Sequence, residues 1–310
     1  MSTIVTLTFN PALDMNTSVK EIVPERKLKC SDPLYEPGGG GINVARAIKK
    51  LGGDAIAVYF SGGDTGNKIT ALLQAERIRT RAVPIVDMTR QNLIILNQSS
   101  HGQYLFDMPG PLISAAELKA CMDTLEQISA IEFLVVSGSL PKGVGPDVLF
   151  QLADLARRKH AKLVVDTAGE ALQVAVKAGA YLIKPNLKEL GFLTGQENIT
   201  EENAGEAARG ILRHSACEVI VVSMANKGAL LITRSLDLKI KPPPVTVLST
   251  VGAGDSLVGG LIFSLSNNKP LEEAIRYGVA CGTSATISPG IELCRKEDAD
   301  HLYSLIKDQI

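Results

Sequence analysis

The chain has 310 residues, of which 45% are hydrophobic and 4% aromatic, with no Trp; this supports a large aliphatic core and excludes a disordered chain. A formal net charge of −1 excludes global attraction to nucleic acid or to an anionic membrane, so any anionic ligand has to be held by local groups. The five cysteines include no CxxC and the four histidines no HxxxH, which points to a reduced, cytoplasmic setting and against a histidine-based metal site.

In chain order, β-rich runs are expected at 4–9, 55–60, 133–137, 163–166, 181–184, 219–223 and 230–233. Helical patterns are expected at 42–51, 66–75, 115–128, 146–159, 169–177, 201–214, 255–265 and 271–287. No basic region precedes the first strand, which argues against a secretory leader. Strands spaced by amphipathic helices predict a mostly parallel sheet covered on both faces. Two segments break the pattern. Residues 16–36 hold short alternating runs, and residues 90–107 read as two strands joined around Ser99-Ser100-His101-Gly102. Together they predict a small separate β-sheet, suited to act as a lid and to pair with a second copy. The most apolar helix, around 258–265, is too short to span a bilayer.

Several strand-to-loop junctions carry chemistry. Asp14 lies a short turn beyond the first strand, on the rim where parallel sheets bind ligands, and is placed for sugar hydroxyls. Pro37-Gly38-Gly39-Gly40-Gly41-Ile42-Asn43 leads into a helix; so many glycines need a reason, and close approach of backbone to a polyhydroxy ligand is one. The segment is neither a P-loop nor a dinucleotide fingerprint. Arg90 and Ser139 are placed to hold a phosphate on the same rim. Asn186 and Glu189 sit three apart at a helix start. There they can hold a hydrated Mg²⁺ or form a capping box, and the two readings can coexist. Asp166 ends a strand and can join the metal's water shell. Ser223 to Gly228 is a turn able to cover a ribose or phosphate.

The most informative segment is Thr250-Val251-Gly252-Ala253-Gly254-Asp255. An extended stretch meets a Gly-Ala-Gly turn and then a helix start, where unpaired N–H groups and the helix dipole favour an anion. Asp255 at its edge can take a proton from a hydroxyl while those N–H groups hold a phosphoryl group.

Taken in order, these segments resemble the ribokinase-like (PfkB-type) carbohydrate kinases over essentially the whole chain. The motifs that carry the resemblance are Gly38-Gly39-Gly40-Gly41-Ile42-Asn43-Val44-Ala45, Asn186-x-x-Glu189 and Val251-Gly252-Ala253-Gly254-Asp255. It implies one α/β domain over 1–310, with a three-layer α/β/α core, a mostly parallel central sheet and a β-sheet lid from about 16–36 and 88–107. Thr89-Arg90-Gln91-Asn92, Ser137-Gly138-Ser139-Leu140-Pro141, Asp166-Thr167-Ala168-Gly169-Glu170-Ala171-Leu172 and Lys27-Leu28-Lys29-Cys30 resemble the branch acting on sugar phosphates. That implies ATP-dependent phosphorylation of fructose 6-phosphate at O1, with tagatose 6-phosphate and fructose 1-phosphate as alternative acceptors. A non-catalytic sugar-phosphate sensor is the alternative of another class, and it would have no need of Asp255.

The resemblance also implies roles. Asp255 is the general base, and Gly252, Ala253 and Gly254 form the anion hole. Asp14, Gly38, Gly39 and Asn43 bind sugar hydroxyls. Arg90 and Ser139 hold the sugar phosphate, helped by Lys29 from the lid of a partner subunit in a homodimer. Lys184, Asn186, Ser223, Gly228 and Lys27 contact ATP, while Glu189 and Asp166 orient Mg²⁺ through water. Carbonyls near Ser249, Val251, Ala285, Ser288 and Gly290 match a K⁺-binding loop. Two positions depart from close relatives, which often carry a basic residue where this chain has Glu292 and Arg where it has Lys29.

Overall fold

The architecture follows from strict alternation along the first strands. In β1 (Ile4–Thr8) Val5 and Leu7 enter one apolar cluster and Ile4 the other. In β4 (Ala55–Ser61) Ile56, Val58 and Phe60 point one way while Ala55, Ala57 and Tyr59 point the other. Successive side chains leave a strand on opposite faces, so a strand apolar at every position must be covered twice. The computed structural model, which describes residues 3–288 and 292–307, shows that double cover.

The elements run β1, β2 (Ala12–Val19), β3 (Leu34–Gly38), α1 (Gly40–Lys50), β4, α2 (Gly63–Ala75), β5 (Arg79–Pro84), β6 (Arg90–Asn97), β7 (Gly102–Phe106) and α3 (Ala115–Glu126). They continue with β8 (Phe133–Ser137), α4 (Val148–Arg158), β9 (Lys162–Asp166), α5 (Gly169–Ala178), β10 (Leu182–Ile183), α6 (Leu187–Thr194), α7 (Ala204–Arg213) and β11 (Val219–Ser223). The last are β12 (Ala229–Ile232), β13 (Asp237–Ile240), α8 (Ala253–Ser266), α9 (Leu271–Thr286) and α10 (Lys296–Lys307). Among the described residues the main sheet has nine strands, in the order β13-β12-β11-β10-β9-β8-β1-β4-β5. It is parallel from β11 to β5, and its β12–β13 edge is antiparallel. One apolar cluster packs α3, α4, α5 and α7 on one face; the other packs α1, α2, α8 and α9 on the opposite face. Among the described residues no helix is long and apolar enough to cross a membrane. All five cysteines are free thiols, and only Cys30 is exposed.

Strands β3-β2-β6-β7 form the second, four-stranded sheet. It reaches further than the sequence pattern suggested, because β2 begins at Ala12 and β3 ends at Gly38. Asp14, expected a short turn beyond the first strand, therefore sits inside β2 of this small sheet. The edge strands β5 and β13 and the helix α10 lie outside the expected elements. Arg79-Thr80-Arg81 and Asp237-Leu238-Lys239 are charged edge sequences without a continuous apolar run, the property that blunts an exposed edge. The helices expected from 146 and 201 begin later, at Val148 and Ala204.

The small sheet is fixed at its root by a buried ion network. Arg46 on α1 grips Glu76 through Nε (3.0 and 2.9 Å) and Nη2 (2.8 Å). It also reaches Glu36 of β3 at 3.2 Å and the Pro37 carbonyl at 3.1 Å. The Lys68 ammonium of α2 lies 3.1 Å from the Tyr35 ring centroid, a cation–π contact on the same strand.

The run of glycines entering α1 is explained by close packing. A Cβ on Gly41 would stand 2.6 Å from the Leu7 carbonyl oxygen, and one on Gly40 would stand 2.2 Å from Ser137 Oγ. The start of α1 thus lies directly on β1 and β8. Gly259 does the same between helices, since a Cβ there would meet that of Ala47 at 2.7 Å. Gly259→Val should wedge α8 away from α1 and destabilise the fold by about 1–3 kcal/mol, the usual cost of overpacking. Urea unfolding checks this, and an unchanged midpoint would refute the contact.

Candidate active site

The site gathers at the carboxyl ends of the parallel strands, where ligands bind in open α/β sheets. Asn10 follows β1, Ser137 ends β8, Asp166 ends β9, Lys184 follows β10 and Ser223 ends β11. The α8 start closes the ring. Gly252 holds φ of 75°, the left-handed conformation that glycine adopts without strain, and so turns the chain into the helix. Residues 251 to 255 are half-buried, open toward the crevice.

Asn43 Nδ2 donates to Asp255 Oδ2 at 2.9 Å, across 212 residues of sequence. The amide expected to face sugar hydroxyls therefore also holds the carboxylate, which leaves its second N–H and its Oδ1 for a ligand. Burial first, and then the Asp166 charge, push the Asp255 carboxyl up to about 7, against the pull of Asn43 and Lys184. A carboxylate tuned there gains and loses a proton near neutrality, the range wanted of a general base.

Lys184 Nζ pairs with Asp166 Oδ1 at 3.0 Å, both largely buried. Burial pulls the ammonium's pKa down, but Asp166, Asp255 and Glu189 together raise it above its usual value. One cation thus stands among three carboxylates. A Cβ on Gly254 would lie 3.7 Å from its Nζ, so the cation borders the helix start. Asp166 Oδ2 also accepts from Ser137 Oγ at 3.5 Å.

Across the crevice, Arg90 Nη2 donates to the Asn10 carbonyl at 3.2 Å and Nη1 to the Met108 carbonyl at 3.1 Å, with Asp107 paired to Nη1. Among the described residues its Nε is buried without a partner, as is Asn10 Oδ1. Asn10 Nδ2 donates to Ser139 Oγ at 3.0 Å, which brings Arg90 and Ser139 together around a residue the sequence pattern did not single out. The signal available was its place two residues past the end of β1. Asp14 Oδ1 accepts from Asn92 Nδ2 at 2.9 Å, and burial lifts its carboxyl to about 6. A Cβ on Gly38 would stand 2.0 Å from Asp14 Oδ2, so the glycine makes room for that carboxylate. Gly39 has φ of 106° and caps α1.

The Asn186–Glu189 pair forms a complete capping box. Asn186 Oδ1 accepts from Glu189 N at 2.9 Å, and Glu189 Oε2 accepts from Asn186 N at 2.8 Å. Among the described residues the capping box uses Glu189 Oε2 and leaves Oε1 without a hydrogen bond. Asn186 bridges to Ser223, which joins the two strand ends. Gly228 stands at the start of β12 with φ of 90°, where a Cβ would meet the Ile240 carbonyl at 2.0 Å. Lys27 and Lys29 lie exposed in the loop between β2 and β3 and make no ion pair among the described residues. Ser249, Val251, Ala285 and Ser288 lie where the loop before α8 meets the end of α9, joined by Leu248 N and Ser249 N donating to the Thr286 carbonyl at 2.8 and 3.3 Å. Gly290 lies outside the described residues.

Residues 10–298 match the pfkB family carbohydrate kinase profile. The chain belongs to the pfkB family of carbohydrate kinases. This kinase is 41% identical over 307 residues to ATP-dependent 6-phosphofructokinase isozyme 2 of Escherichia coli K12, covering 99% of each chain. The E. coli phosphofructokinase-2 crystal structures superpose with TM-scores of 0.95 for the complex with potassium (41% identity, 99% of this chain and 100% of that one) and 0.94 for the complex with fructose-6-phosphate (40% identity, the same coverage). A tetrameric inhibited form of the same protein superposes with a TM-score of 0.94, at 41% identity and the same coverage.

In this kinase Asp255→Asn should lower turnover by about 10²–10⁴-fold, the usual contribution of general base catalysis. Native kcat should rise with pH through about 7 as Asp255 ionises. Stability should move the other way. A carboxyl raised from 3.8 to about 7 in the fold contributes stability below 3.8 that is lost as pH rises through about 7. Asp255→Asn should therefore melt above the native protein at pH 8 and lose that advantage by pH 4. Thermal melts at the two pH values check the sign.

Proposed function

We propose that this chain is an ATP-dependent kinase that phosphorylates fructose 6-phosphate at O1, giving fructose 1,6-bisphosphate and ADP in the cytoplasm. The observation that carries the reading is the Asn43-held Asp255 at the α8 start, tuned near neutrality, facing the Arg90–Asn10–Ser139 cluster. A sugar phosphate held at its far end by Arg90 and Ser139 would present its other end to Asp255. Among the described residues Arg90 Nε and the Asn10 side-chain Oδ1 are buried without a partner, ready for a polar ligand. Asp14 and the Gly38–Gly39 backbone fit the sugar hydroxyls between them.

Asp255 takes the proton from the attacking hydroxyl. The N–H groups of Gly252, Ala253 and Gly254, with Lys184 beside them, stabilise the charge on the transferred phosphoryl group. The transfer is direct, from ATP to the acceptor hydroxyl, with no phosphoenzyme. Asn186, Ser223 and Gly228 fit the nucleotide, and Lys27 and Lys29 supply two free ammonium groups from the loop, Lys29 from a partner's lid. The donor set suits Mg²⁺: Asp166 and the free Glu189 oxygen are hard ligands that would hold it through water. Bound there, Mg²⁺ supplies neutralisation of the triphosphate charge. The loop carbonyls of Ser249, Val251, Ala285 and Ser288 fit K⁺, in keeping with the potassium complex of the E. coli relative.

The four-stranded sheet fits a homodimer interface. Tyr104 and Phe106 are 44% and 45% exposed on the face opposite Gln103. They continue a row with Leu93 and Ile95 of β6 by register. Exposed aromatics on an edge strand are a common pairing surface. Tyr104→Glu should shift the species in sedimentation toward single chains; an unchanged mass would count against this face.

Turnover should favour fructose 6-phosphate over tagatose 6-phosphate, fructose 1-phosphate and free fructose in kcat/KM, read by ADP release with MgATP. Arg90→Ala should raise KM for the sugar phosphate at least about tenfold while leaving KM for ATP nearly unchanged. Binding of the sugar phosphate without turnover would favour the sensor reading instead.

A further inference from the structure

Gln103 of β7 touches the loop that feeds α8, although β7 is the outer edge of the small sheet and largely exposed. Ser249 Oγ donates to Gln103 Oε1 at 3.2 Å, across 146 residues of sequence. The same Ser249 Oγ accepts from Val251 N at 3.2 Å. Ser249 is 5% exposed, so both bonds are made largely out of water. Val251 directly precedes Gly252, whose left-handed turn begins α8. A chain of bonds thus runs from the start of α8 through one hydroxyl to the edge of the lid.

We propose that Gln103 is a positioning residue that transmits the placement of the lid to the anion hole through the Ser249 hydroxyl. This rests on the kinase reading of the α8 start. A hydroxyl has one proton and two lone pairs. Spending the proton on Gln103 turns the lone pairs toward the Val251 N–H and fixes the turn that aims the next N–H groups. When the lid lifts, the hydroxyl rotates freely and the turn loosens. Gln103 shares its face of the sheet with Asp14 and Asn92, since β2 pairs with β6 and β6 with β7 in register. Sugar bound at Asp14 and phosphoryl held at α8 are therefore reported to each other by one rigid sheet. The root of that sheet is tied separately, by Arg46 and Lys68, to α1 and α2. A single neutral hydrogen bond biases an equilibrium by only a few-fold, which suits a contact that must break in every cycle.

The test compares Gln103→Met, which keeps length but loses the acceptor, with Gln103→Glu, which keeps it. Two readouts are taken on each full-length protein: kcat with fructose 6-phosphate and MgATP, and hydrogen–deuterium exchange of residues 249–254 without ligands. Gln103→Met should lower kcat about three- to tenfold at unchanged Kd for MgATP and speed exchange at 249–254 by a similar factor, with Gln103→Glu near native in both. Native-like kcat and exchange in Gln103→Met would overturn the proposal, as would equal impairment of the two variants. If the native protein fails to turn over, the kinase reading falls, while the exchange comparison alone still decides the coupling.

Discussion

Two helices lying too close for a side chain at Gly259 fix where Asp255 and Asn43 stand. Gly259 of α8 rests against Ala47 of α1, and one turn toward the amino end of each helix stand Asp255 and Asn43, in hydrogen-bond contact. A helix repeats its face every three to four residues, so the contact below dictates the contact above. The same crossing puts the glycine-lined start of α1 onto β1 and β8. α8 is held from its other side by α9, where Gly260 and Gly278 again admit close approach. Asp255 is therefore not a loop residue awaiting a ligand; its position is a by-product of core packing.

Electrostatics then divides the crevice. On the small-sheet side Asp14 is lifted to about 6 by burial, and at the α8 start Asp255 is lifted to about 7. The Lys184 ammonium, paired with Asp166, stands beside Asp255 at the α8 start. Burying acids near full neutralisation costs stability, because their ionised forms are disfavoured there. The cost persists because it leaves one acid ready to accept a proton and a cation next to a helix amino end. In the proposed phosphoryl transfer, charge would develop where the dipoles of the α8 start and the Lys184 cation already stand, so little reorganisation would be required.

The small sheet is attached unevenly. Its root is buried against α1 and α2 through Arg46, Glu36, Glu76 and the Lys68–Tyr35 contact, while its outer strand keeps most of its surface in water. A body fixed at one edge and weakly tied at the other can pivot without unfolding. Its two faces also differ. One carries Asp14, Asn92 and Gln103 toward the site, and the other carries Tyr104 and Phe106 outward.

The sequence by itself determined the local pieces: the Gly252–Asp255 turn into a helix, the Asn186–Glu189 capping box, the parallel α/β pattern and the existence of a small separate sheet. These depend on neighbours within a few residues, where glycine conformation, capping and side-chain period act directly. Edge strands β5 and β13 escaped that pattern because charged edges carry no continuous apolar run. Only the tertiary structure decided that Asn43 holds Asp255, that Asn10 joins Arg90 to Ser139, that Lys184 pairs with Asp166 and that Gln103 reaches Ser249. Such partners lie from 18 to 212 residues apart. A hydrogen-bonding side chain has many chemically equal partners in a sequence, and only the packing of helices on the sheet chooses among them.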